Sequence, residues 1–175
     1  MDAVTVTRTR AATVWLLSGL TGSGKTTYAR RLEAAGVVRL SVDEEVFARN
    51  GRYGVDYHES EYFAREAPVI ADIYRQLVGL VAHGRDVVLD QGLWTRADRD
   101  VAKKLVKEAG GRWRLLYFRV DRAVLLRRLA DRNQRADANA LLVTESALDD
   151  FIARFEEPRG EGEELIDGGG SGPGG

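Results

Sequence analysis

Eight consecutive residues, Gly19-Leu20-Thr21-Gly22-Ser23-Gly24-Lys25-Thr26, reproduce the spacing G-x-x-x-x-G-K-[ST] of a phosphate-binding loop. Gly19, Gly22 and Gly24 carry no Cβ, so the backbone at those positions can wrap an anion and turn its N–H groups inward. A helix opening at Lys25 would add the positive end of its dipole. In this pattern Lys25 bridges the β- and γ-phosphates, the Thr26 hydroxyl ligates Mg²⁺, and Thr21, Ser23 and Thr27 complete the cradle. The alternative is a glycine-rich turn that binds nothing.

Phosphoryl transfer also needs a base near the acceptor hydroxyl and positive charge near the moving phosphoryl oxygens. Asp90 ends the apolar run "VVLD" and is the expected Mg²⁺ carboxylate. Asp43, at the end of "VVRLSVD", is the expected general base, with the N-cap of the following helix as its competing role. Glu44 and Glu45 are weaker choices, because helix starts favour acids through the dipole alone. Arg128 and Arg132 lie four apart on one helix face, and Arg135 follows in a polar stretch that could close over a nucleotide. Pairing with Asp131 and Asp137 on a solvated face is the competing reading. The acceptor would meet Tyr53, Tyr57, Trp94 and Arg96, and the aromatic rings among them can stack on a sugar, a drug ring or a base. Capping of the sheet is the plainer use of such rings.

The elements that must carry these residues follow from periodicity. Short apolar runs at 13–18, 37–43, 86–92 and 112–121 predict buried strands, with a fifth at 163–167. Between them, helices are predicted over 25–35, 44–49, 59–83 with a kink or break at Pro68, 96–109, 122–132 and 144–156. Strands alternating with helices predict an α/β domain with a mainly parallel sheet. Ligands bind such sheets at the carboxyl ends of the strands, where Gly19, Asp43 and Asp90 all fall. Residues 1–167 form the expected single domain, and "GGGSGPGG" at 168–175 a flexible tail.

Composition narrows the partners. The 175 residues carry a formal net charge of −1, which gives no general attraction to nucleic acid or anionic membrane. No run approaches the roughly 20 apolar residues of a membrane span. Cysteine is absent, which excludes thiolate catalysis and fits a reducing cytoplasm.

Five segments together carry a family likeness: "GLTGSGKTT", "SVDEEVF", "VVLDQGLWTRADRD", and "VLLRRLADRN" followed by "RFEEP". With these, the chain resembles the small bacterial P-loop kinases that include chloramphenicol phosphotransferase, zeta-toxin-type kinases and the kinase domain of polynucleotide kinase. The resemblance implies a five-stranded parallel sheet in the order 2-3-1-4-5, an arginine-bearing lid, and ATP·Mg²⁺ as donor. It also implies that Asp43 is the base and that Arg128 and Arg132 are the lid arginines. The expected acceptor is a hydroxyl of a small molecule such as an antibiotic, a sugar-like metabolite or a nucleotide-sugar. A 5′-hydroxyl polynucleotide is an alternative that would want a continuous basic channel. An ATPase or nucleotide switch without an acceptor is a second. No obligate protein partner is implied.

Overall fold

Val14, Leu16 and Leu17 have no exposed surface, as a strand covered on both faces requires. The computed structural model describes residues 10–132 and 143–168. Five strands form one sheet: β1 (Thr13–Ser18), β2 (Val38–Ser41), β3 (Val87–Asp90), β4 (Arg112–Arg119) and β5 (Glu163–Asp167). Every pairing is parallel, in the order β2-β3-β1-β4-β5, with Leu16 opposite Leu89 on one side and Leu115 on the other. The expected strand order is therefore found.

Helices cover both faces, because alternate strand residues point to opposite sides. Val14, Leu16, Val87, Leu89 and Leu115 meet α3 (Tyr62–Ala82) and α4 (Arg96–Glu108) through Val69, Ile73, Leu77, Ala102 and Val106. Leu17, Val88, Leu116 and Phe118 meet α1 (Lys25–Ala34) through Ala29, Tyr28 and Leu32. A smaller core joins α5 (Arg122–Arg132) to α6 (Glu145–Arg154) through Leu125, Leu129 and Leu148. Among the described residues no helix is long and apolar enough to cross a membrane.

Three local departures matter. The second strand stops at Ser41 rather than at Asp43, because the Ser41 hydroxyl accepts from the Glu44 N–H at 3.3 Å and starts α2 (Val42–Asn50). Asp43 thus lies in the first helical turn, and the capping role falls to Ser41. Pro68 does not break α3: it lies on the exposed side of a helix that runs through it, where water can take the carbonyl its missing N–H leaves. Finally, Gly168, the first residue of the expected tail, donates from its N–H to Arg119 O at 3.1 Å and extends β5. Arg135 and most of the expected lid lie outside the described residues.

Candidate functional site

The turn from β1 into α1 needs backbone that side chains resist. Gly22 and Gly24 have φ of +82° and +100°, and Gly24 is the N-cap of α1. The loop they form, α1, the first turn of α2, the carboxyl end of β3, and α5 enclose a cleft of about 540 Å³. Its lining includes Thr21, Gly22, Ser23, Gly24, Lys25, Thr26 and Thr27 from the loop, with Asp43, Asp90, Arg128 and Arg132. Gly92 joins them, since a Cβ there would meet Gly19 O at 3.2 Å and Trp94 Nε1 at 2.9 Å.

Lys25 turns back over the loop, donating to Gly19 O at 2.7 Å and Leu20 O at 2.8 Å. Burial pulls its ammonium down to about 8, against the raising effect of the Asp90 and Asp43 carboxylates, while Arg132 adds to the fall. It remains charged at neutral pH. The Thr26 hydroxyl donates to Asp90 Oδ1 at 3.3 Å. The other oxygen of Asp90 is held by Arg39, from Nε at 3.0 Å and Nη2 at 2.7 Å. Arg39 in turn reaches Glu44 at 2.8 and 3.0 Å, and Glu44 also receives Arg30 at 3.1 Å.

A hydroxyl beside a carboxylate is a hard oxygen donor set of the kind Mg²⁺ takes. Among the described residues no group of three or more His, Cys, Asp or Glu is placed to hold a metal ion. Thr26 and Asp90 fit such an ion as the residues that would hold it, beside phosphate and water.

Asp43 opens to solvent through the cleft, yet the protein around it is dense. Desolvation first, then the Asp90 charge, raises its carboxyl above the usual aspartate range, while Lys25, the Tyr62 hydroxyl and Arg132 oppose the rise. Tyr62 donates toward Asp43 Oδ1 at 3.3 Å. The two arginines of α5 differ. Arg128 is fastened to backbone, donating to Gly22 O at 3.1 Å and to Gly168 O. Arg132 lines the cleft, and its charge acts on both Lys25 and Asp43.

The four expected acceptor contacts are not in this lining. Tyr53 packs edge-on against Tyr57 and Tyr62 at 6.2 and 5.5 Å, and the buried Tyr57 ring lies under Arg65 at 4.9 Å. Trp94 packs on Phe151 at 5.0 Å, while Arg96 is exposed at the start of α4. Sequence reasoning missed Arg39, although a charge inside an otherwise apolar strand run is itself the signal of a buried partner. It also missed Tyr28, Phe118 and Ile166, which line the cleft's apolar end and have no motif to mark them.

A parallel sheet in this order, with the glycine loop running from β1 into α1, is a P-loop kinase fold. The chain belongs to the AAA_33 family of AAA domains, whose model matches residues 14–158. A chain of the Pnkp1/Rnl/Hen1 RNA repair complex is similar at a TM-score of 0.68 and 19% identity, over 87% of this chain and 46% of that one. This protein thus spans less than half of that relative. A candidate kinase from Chloroflexus aurantiacus j-10-fl is similar at a TM-score of 0.70 and 16% identity, covering 91% and 90% of the two chains. A gluconokinase from Sinorhizobium meliloti 1021 is similar at 0.60 and 21%, covering 90% and 83%. No functionally curated protein matches the sequence.

Proposed function

We propose that the protein is an ATP-dependent phosphotransferase that moves the γ-phosphoryl group of ATP·Mg²⁺ to a hydroxyl of a small molecule. The observation that carries this reading is the position of Asp43. Ser41 relieves it of capping, and it faces the cleft of the phosphate loop, within reach of the Lys25 and Arg132 charges. Asp43 accepts the hydroxyl proton as the acceptor oxygen attacks. Lys25 and Arg132 stabilise charge on the phosphoryl oxygens, while Arg128 holds the Gly22 carbonyl and fixes the loop. When bound, Mg²⁺ would neutralise phosphate charge, held by Thr26 with Asp90 beside it.

The cleft volume is within the range of small-molecule sites, and a gluconokinase shares the fold. Tyr53, Tyr57, Trp94 and Arg96 would then shape the surroundings of the acceptor site rather than its walls. The test is the fate of γ-labelled phosphate. The protein is incubated with Mg²⁺, labelled ATP, and either a hydroxyl-rich metabolite and antibiotic pool or a 5′-hydroxyl oligonucleotide. Label in the small-molecule pool supports the proposal. Label on the oligonucleotide would instead make the protein a polynucleotide kinase, and release only as inorganic phosphate would make it an ATPase or switch.

A further inference from the structure

One phenol oxygen sits between two carboxyl groups behind the cleft. Tyr62 Oη lies 3.3 Å from Asp43 Oδ1 and 3.3 Å from Glu66 Oε1. Tyr62 and Glu66 are four apart on α3, so they share a helix face, and α2 supplies Asp43 opposite them. A phenol has a single proton to donate, so with both carboxyls ionised only one of the two contacts is a hydrogen bond. One further proton, on either carboxyl, completes both. The three groups form a store for that proton.

We propose that Tyr62 and Glu66 carry away the proton that Asp43 takes from the acceptor hydroxyl. This rests on the reading of Asp43 as general base. The acceptor oxygen bonds to the γ-phosphorus as the bond to ADP breaks, its electron pair leaving on the β-phosphate oxygen, and the hydroxyl proton passes to the Asp43 carboxylate. The Asp43 proton then moves to the Tyr62 oxygen while the original Tyr62 proton moves to the Glu66 carboxylate. Asp43 is again ionised and Tyr62 unchanged. Glu66, half-buried, holds the proton until water takes it. Tyr62 and Glu66 are positioning residues: they act through Asp43 and touch neither donor nor acceptor.

The surroundings of Glu66 suit that role. Burial raises its carboxyl to about 7, the Asp43 charge from α2 and the Asp98 charge from α4 add to the rise, and the Tyr62 hydroxyl opposes it. Tyr74, two helical turns on, and Tyr57 from the preceding loop also feel the Glu66 charge. Arg65, its neighbour in sequence, is turned away to Glu61 and Asn50. Glu66 is therefore ready both to accept and to release a proton near neutral pH.

The test uses the full chain labelled at glutamate side-chain carboxyl carbons and titrated by NMR, together with the label-transfer reaction on the small-molecule pool. One glutamate midpoint near 7 is expected. It should disappear in Glu66→Gln and move down by about one pH unit in Asp43→Asn, which removes the neighbouring like charge. In the transfer reaction Tyr62→Phe and Glu66→Gln should slow turnover about tenfold and flatten its pH profile between 6 and 8, with the KM for ATP unchanged. A Glu66 midpoint in the ordinary range, or one indifferent to Asp43→Asn, overturns the relay even where transfer occurs. A coupled midpoint in a protein that transfers no label would overturn the phosphotransferase reading and leave the relay without a reaction to serve.

Discussion

Arg39, inside β2, and Asp90, the last residue of the neighbouring β3, form a two-nitrogen ion pair whose side chains are each only 5% exposed. Removing Arg39 leaves the Asp90 carboxylate buried without its guanidinium partner, with the Thr26 hydroxyl still on Oδ1. Arg39→Met should therefore cost about 3–5 kcal/mol of stability, and the double variant with Asp90→Asn should recover part of that loss. Arg39→Lys keeps the charge without the fork and should fall between. Urea unfolding midpoints of the four proteins measure it.

Lys25 gives nucleotide binding a predictable pH dependence. Its folded value of about 8 lies below the ordinary 10.5, so it is charged below 8 and loses its charge as pH rises through that value. Affinity for a non-hydrolysable ATP analogue should fall between pH 7 and 9. In Lys25→Ala, affinity should be weak and flat across that window. Calorimetric titration at three pH values separates the two.

Glu66 has the opposite sign of shift for its charge type, and stability should report it. A carboxyl raised to about 7 from 4.5 binds its proton more tightly in the folded state. The folded protein therefore loses stability from this group as pH climbs from 4.5 through 7. Between pH 5 and 8 the wild type should lose on the order of 2 kcal/mol more than Glu66→Gln. Thermal melts across that range check it.

A second buried cluster anchors the loop after β3. Arg99 and Glu161, 0% and 2% exposed, pair at 2.7 and 2.8 Å, and Arg99 also donates to Leu93 O at 3.1 Å. Lys103 joins from α4, donating to Glu161 O at 3.0 Å. Glu161→Leu should destabilise the protein by about 3–5 kcal/mol, more than Glu161→Gln, which keeps a hydrogen-bond acceptor. Denaturant titration of the three proteins ranks them.

Much of this was legible in residue order. The apolar runs at 13–18 and 86–92 have no other stable use than buried strands, and Gly22 through Thr26 states its own geometry. Asp43 was legible as a cleft residue but misassigned in its local structure, because Ser41 and Asp43 both cap helices well and only the folded chain chooses between them. The Arg39–Asp90 pair and the Tyr62–Asp43 contact were less so. Each depends on which element lies beside which, and side-chain spacing along the chain carries that information only within one helix. Trp94 and Arg96 follow Asp90 closely in sequence, but the chain turns after Gly92 and carries Trp94 onto α6.

The turnover of Asp43→Asn against wild type, measured with the nucleotide affinity of each, tests the central claim most directly. Ser41 keeps the helix cap, so the variant should fold normally and bind ATP as the wild type does. Phosphoryl transfer to the acceptor pool should fall roughly 10²–10⁴-fold, the range for a lost acid–base group. Transfer at the wild-type rate in a folded, ATP-binding Asp43→Asn protein would contradict the account.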